Sequence, residues 1–131
     1  MDIEKIRSDL QMEDLYFVDC SIHREASIED GALSFNLQKQ IEEFDNNRFS
    51  VTLTLDVSKE ANDLTVKVIL KGIFSLNGFE NDPQMAKTMI QTNTVAIMFP
   101  FIRSQVSLLT TQPGLNPIII PPINTSKFDE N

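Results

Sequence analysis

The chain has 131 residues, 41% hydrophobic and 23% charged, enough for one domain over residues 1–131 and little more. Its formal net charge is −8, from 11 basic and 19 acidic side chains, which argues against nucleic acid and anionic membrane surfaces as partners. One cysteine, Cys20, excludes an internal disulfide framework and fits a reducing compartment.

Taken in chain order, Ile3, Ile6 and Leu10 recur at helical spacing and predict a short helix over residues 2–12. From Leu15 to Arg24 polarity alternates, a strand with Tyr16, Val18, Cys20 and Ile22 on one face. Phe17, Asp19, Ser21 and His23 fall on the other face. Glu25 to Gly31 is a polar connection, a hairpin or a crossover. Leu33, Phe35 and Leu37 mark a second strand reaching toward Ile41, and Glu42 to Asn47 reads as a polar turn. Phe49, Val51, Leu53, Leu55 and Val57 alternate with Ser50, Thr52, Thr54 and Asp56 in the cleanest strand of the chain. Leu64, Val66, Val68 and Leu70 open a fourth strand running toward Leu76. Four strands with short links imply an antiparallel sheet, one face packed and one wet.

After Asn77-Gly78 the period becomes helical. Asp82-Pro83 is a helix start, the Asp capping and the Pro needing no donor. Met85, Met89 and Ile90 give a face, continued by Ile102, Val106 and Leu109 with Phe101 and Leu108 beside it. Pro100 is expected to kink the helix or divide it, and Pro113-Gly114 to stop it. Leu115 to Ile123 carries three prolines and is an extended apolar segment that must lie along something.

The charge is unevenly spread. Residues 1–82 hold 17 of the 19 acidic side chains and sum to −9, whereas residues 83–131 sum to +1. Between Pro83 and Ser126 only Lys87 and Arg103 are charged. A helix exposed on one side carries a polar outer face. A segment so poor in charge therefore reads as a buried core element, a subunit interface or a groove for apolar ligands.

Catalytic patterns are missing. Cys20 and His23 lie three apart in a predicted strand and point to opposite faces, so they make no dyad. Glu42, Glu43 and Asp45 beside Arg48 read as a solvated turn, not a metal site. With no tryptophan and one tyrosine, a sugar site has little support. The expectation is a cytoplasmic protein, with an acidic start and no leader or membrane span, that is no enzyme and holds no cofactor or metal.

Gly72-Ile73-Phe74-Ser75-Leu76-Asn77-Gly78-Phe79 resembles the end of the fourth strand of the SecB export-chaperone family. Gln84-Met85-Ala86, Phe99-Pro100-Phe101-Ile102-Arg103 and the stretch from Pro117 to Asn124 are similar to later motifs of that family, in order and spacing, over about residues 64–128. The resemblance implies an α+β fold, a four-stranded antiparallel sheet with a long helix, kinked or broken at proline, packed beside it. It implies a tetramer, a dimer of dimers, and ATP-independent holding of unfolded or precursor polypeptides in apolar grooves.

Carried over residue by residue, Phe101 matches the motif aromatic beside the groove, and Ile118, Ile119 and Ile120 fall in the linker forming its wall. Phe35 and Val66 are their neighbours on the strands, and Asp19 matches an acidic residue of the sheet face that meets the SecA motor. His23 and Lys67 stand where the family pattern is acidic, and the family's second helix and acidic tail are almost wholly missing after Phe128. SecA as a partner is therefore left open. A holdase with many clients, a protein dedicated to one client such as an antitoxin, and an oligomeric structural protein without chaperone activity are the three readings.

Overall fold

The computed structural model describes residues 10–25, 32–45, 47–59, 63–79 and 81–122. Four strands, β1 (Leu10–Arg24), β2 (Leu33–Asp45), β3 (Arg48–Lys59) and β4 (Leu64–Leu76), precede a helical region. That region comprises α1 (Pro83–Thr88), a π-helical turn (Met89–Asn93) and α2 (Thr94–Leu109). The strands form one antiparallel sheet in the order β1-β4-β3-β2. The chain therefore passes from one sheet edge to the other between β1 and β2, and the Glu25–Gly31 connection is a crossover.

The central strands follow their sequence pattern. Phe49, Val51, Leu53, Leu55 and Val57 of β3 are buried together with Leu64, Val66, Val68, Leu70, Phe74 and Leu76 of β4. Each such side chain contributes about 1.5–3 kcal/mol relative to exposure, which fixes the register of both strands. Val95, Met98, Phe99, Ile102 and Val106 of α2 close the core from above. Gly72 makes that approach possible: a Cβ there would lie 2.7 Å from the Phe74 ring and 3.2 Å from Met98 Sδ.

Three expectations are corrected. The predicted helix over residues 2–12 falls mostly outside the described residues, but Leu10, Gln11 and Met12 are strand, paired with Leu76, Ser75 and Phe74. Pairing to β4 outweighs a weak helical spacing. Along β1, bulges between Met12 and Asp14 and between Phe17 and Asp19 interrupt the alternation. Each inserts a residue and slips the phase. Phe17, Cys20 and Ile22 thus share the core side with Leu70, Val68 and Val66, while Tyr16 shares the wet side with Lys71. The Glu42–Asn47 turn is shorter than expected, because β2 continues to Asp45 and pairs there with Arg48. Asn47, at φ 58°, takes the left-handed conformation such a tight hairpin requires.

Of the two outcomes expected at Pro100, division is not seen, since α2 runs through it. The carbonyl the proline frees belongs to Ala96, and Ala96 and Pro100 both lie on the exposed side of the helix. The irregularity lies earlier, at the π turn, where the Gln91 carbonyl accepts from Lys39 Nζ at 3.0 Å. The helix start is as expected: Asp82 Oδ1 accepts from the Met85 N–H at 3.1 Å, with Pro83 at the first position.

Candidate binding groove

The outward side of α2 has no charge to hold it in water. Ala96, Ile97, Pro100, Phe101, Ser104 and Leu108 are exposed there, Phe101 to 46% and Leu108 to 66%. Ile97, Phe101, Ser104 and Leu108 follow four-three-four spacing, the seam by which helices pack on one another. Arg103, the one ionic side chain of α2, is turned sideways: its Nε donates to the Ile120 carbonyl at 2.8 Å.

That bond is one of three anchors on the segment that follows the helix. Arg24 Nη1 and Nη2 donate to the Pro113 and Gly114 carbonyls at 2.9 and 3.0 Å, tying the end of β1 to the turn. Gly114 takes φ 74° in that turn, whose ends bridge Gln112 and Leu115. The Ile118 N–H donates to Thr110 Oγ1 at 2.7 Å, and Thr110 in turn donates to the Val106 carbonyl. Prolines 117, 121 and 122 keep the backbone extended, so successive side chains alternate. Ile118 and Ile120 are buried, and Ile119 is 77% exposed.

Helix and segment flank an open groove of about 620 Å³, walled by Pro100, Arg103, Ser104, Ser107 and Leu108 on one side and Ile119 and Ile120 on the other. Of the six residues read from sequence as binding apolar chains, three face outward: Phe101, Ile119 and Phe35, the last 46% exposed on the core side of the edge strand β2. Val66, Ile118 and Ile120 are core residues. Neither Phe35 nor Phe101 lines this groove, whereas Ile120, though mostly buried, does. Leu108 and the anchors Arg24 and Thr110 were not singled out by sequence, whose only signal for the wall was the shortage of charge around it.

The opposite, wet face of the sheet carries Asp19, opposite Ile69, and the Lys67–Asp56 ion pair at 3.8 Å. His23 Nε2 donates to Glu25 Oε1 at 2.6 Å, away from Cys20 on the core side. Burial holds the Cys20 thiol above its ordinary pKa; Asp19 adds to this and a hydrogen bond with Gln105 opposes it. Among the described residues no group of three or more His, Cys, Asp or Glu side chains is placed to hold a metal. Nor is any described helix long and apolar enough to cross a membrane.

The family model for SecB, preprotein translocase subunit, matches residues 4–129. The chain is 32% identical over 95 residues to the protein-export protein SecB of Stenotrophomonas maltophilia, covering 70% of this chain and 54% of that protein. It is 27% identical over 95 residues to that of Methylococcus capsulatus, covering 70% and 60%. The chain thus spans little more than half the length of these relatives. In fold it is similar to the Mycobacterium tuberculosis Rv1957 SecB-like chaperone, solved with a ChAD peptide from the Rv1956 HigA1 antitoxin. That match has TM-score 0.72 and 13% identity over 92% of both chains. A Streptococcus agalactiae protein of unknown function shares the fold more loosely, with TM-score 0.54, 10% identity, and 86% and 96% covered. With the sheet order, the long helix and the Phe99–Arg103 motif, the match over residues 4–129 places this chain in the SecB family.

Proposed function

We propose that this chain, as one domain over residues 1–131, is an ATP-independent holdase of the cytoplasm that binds unfolded polypeptides along the α2 groove. The observation that carries the reading is the exposed apolar strip of α2, whose one cation, Arg103, is held by the Ile120 carbonyl, beside the pinned segment that presents Ile119. Ile119 touches the client in the groove, Phe101 on the exposed strip beside it and Phe35 on the sheet edge outside it; Val66 and Ile118 act from behind, and Ile120, though mostly buried, closes the groove floor. Apolar surface binds many sequences without reading any one of them. The site needs no cofactor and performs no covalent chemistry. Self-association into a dimer of dimers covers what clients leave free of the Ile97–Leu108 seam, together with Met12 and Phe17 at the β1 edge, which are also exposed.

A second reading, service to a single client, is favoured by the fold shared with a chaperone solved on an antitoxin peptide. Lys67 on the wet face points the same way. Its positive charge is met by Asp56, and it weakens the case for a SecA-type motor docking beside Asp19.

The test is dilution of an unfolded client into buffer with and without the protein, followed by light scattering. Suppressed aggregation is expected. Ile119→Asp in the groove wall and Phe101→Asp on the exposed strip beside it reduce protection several-fold, because a charge there must be desolvated to meet an apolar chain. Unchanged aggregation at excess protein overturns the reading. One dominant partner in a pull-down from the host, instead of a broad set of precursors, selects the dedicated form.

A further inference from the structure

Asn77-Gly78, where the strand period ends, brings together an amide and a backbone nitrogen that can react with each other. Asn77 is the one asparagine of the chain followed by glycine. With no Cβ beside its nitrogen, glycine lets the preceding asparagine close to a five-membered imide more readily than any other residue does. Both residues are exposed, just past Leu76 at the end of β4. Gly78 takes φ 91°, which a side chain would strain, so the turn itself calls for the reactive pair.

The fold also holds the Asn77 side chain. Asn47, in the β2–β3 hairpin, donates from Nδ2 to Asn77 Oδ1 at 3.1 Å. Asn47 is fixed in turn: its φ is 58°, and its carbonyl accepts from the Leu76 N–H at 2.8 Å. The donor therefore sits on the oxygen that gains negative charge when Asn77 Cγ is attacked. A donor placed where charge develops lowers the barrier.

We infer that Asn77 is a site of self-modification, which converts to aspartate and isoaspartate by attack of the Gly78 nitrogen with the assistance of Asn47. The Gly78 amide nitrogen loses its proton to hydroxide and bonds to Asn77 Cγ; the Cγ–Nδ2 bond breaks and ammonia leaves. Water then opens the imide. Cleavage of the new Cγ–N bond gives aspartate, and cleavage of the original peptide bond gives isoaspartate, whose chain runs through Cβ and Cγ. One amide and one water become one carboxylate and one ammonium ion, with nothing oxidised or reduced.

The two products fit the fold unequally. Aspartate keeps the bond from Asn47, now to a carboxylate, and adds one negative charge to the net −8. Isoaspartate inserts a methylene group into the backbone just before Phe79. Phe79 is half-buried against the core, and its carbonyl accepts from the Asp82 N–H at 3.0 Å. Asp82 caps α1 through the Met85 N–H, so the displacement reaches that cap. This chemistry needs no client and stands apart from the holdase reading.

The test incubates the full chain at pH 7.5 and pH 8.5, digests it in acid, where the imide does not form, and follows each asparagine by peptide mass spectrometry. Asn77 is expected to convert first, to both products, at a rate that rises with hydroxide. Asn47→Gly, which keeps the left-handed backbone at that position, slows conversion about two- to tenfold, as the loss of one hydrogen bond requires. In urea, where Asn47 and Asn77 are apart, the two chains convert alike. Asn77→Gln, whose ring closure would be six-membered, stays unconverted. The purified isoaspartate form exchanges the Met85 amide hydrogen faster than Asn77→Asp does. Conversion at Asn77 no faster than at the other asparagines overturns the site. Aspartate without isoaspartate, or a rate indifferent to pH, overturns the imide route. Equal or faster conversion of Asn47→Gly in buffer, or a difference that persists in urea, overturns the part given to Asn47. Equal Met85 exchange in the two forms overturns the displacement of the cap.

Discussion

Gly72 is where α2 meets the sheet, and its missing Cβ is what the packing needs. Gly72→Ala places a methyl against Phe74 and Met98, and either the ring or the helix must give way. Overpacking of this kind costs about 1–3 kcal/mol, read as a lowered urea midpoint with unchanged m-value. Cys20 gives a second prediction. Its thiol is raised above the ordinary value of 9.0, chiefly by burial. Little thiolate exists at neutral pH, so iodoacetamide labels the native chain more slowly than the urea-unfolded chain at pH 7.5. The sign for stability follows: the group's contribution is complete below the unfolded pKa and is lost as pH rises through the folded one. These two residues were unequally legible. Cys20 sat on its expected face, whereas nothing local to Gly72 announces a helix overhead.

The segment after α2 shows how polar anchors shape an apolar element. Without Thr110, the buried Ile118 N–H has no acceptor. Thr110→Val keeps the volume and removes all three hydrogen bonds of the hydroxyl, to the Val106 and Ser107 carbonyls and from the Ile118 N–H. A buried donor left unpaired costs about 1–3 kcal/mol, and protease cleavage around residues 113–117 is expected to quicken before global unfolding. The extended form of this segment was legible from its prolines. The alternation that buries Ile118 and Ile120 and turns Ile119 outward was not, because it depends on which side meets the sheet. Likewise β1 was legible as a strand, but its two bulges exchange the faces of Tyr16 and Phe17, and a bulge leaves no periodic trace of its own.

For the molecule as a whole, the decisive feature is apolar surface in excess of what one chain covers. A single small fold rarely exposes a contiguous apolar strip without a partner. Light scattering of the native protein is expected to give a tetramer mass. Leu108→Asp or Phe101→Asp, in the middle of the exposed seam, lowers that mass, and an unaltered monomer for native protein and variants alike contradicts the assembly. The net charge of −8 is the sum of −9 on residues 1–82 and +1 on residues 83–131, so like-charge repulsion is weakest where the exposed apolar strip lies.

The sequence by itself determined the strands β3 and β4, the capped start of the helix, the extended proline segment and the shortage of charge that marks the groove. These are local or periodic properties, written in consecutive residues. Only the tertiary structure decided the rest. It set the strand order, with β1 paired to β4, because either edge would have satisfied the same alternation. It placed a π turn at Met89–Asn93, before the proline, where Lys39 from the edge strand reaches the Gln91 carbonyl. It divided the six candidate side chains into three that are exposed and three that are core, because burial is a property of what lies across the gap and not of the chain's own spacing.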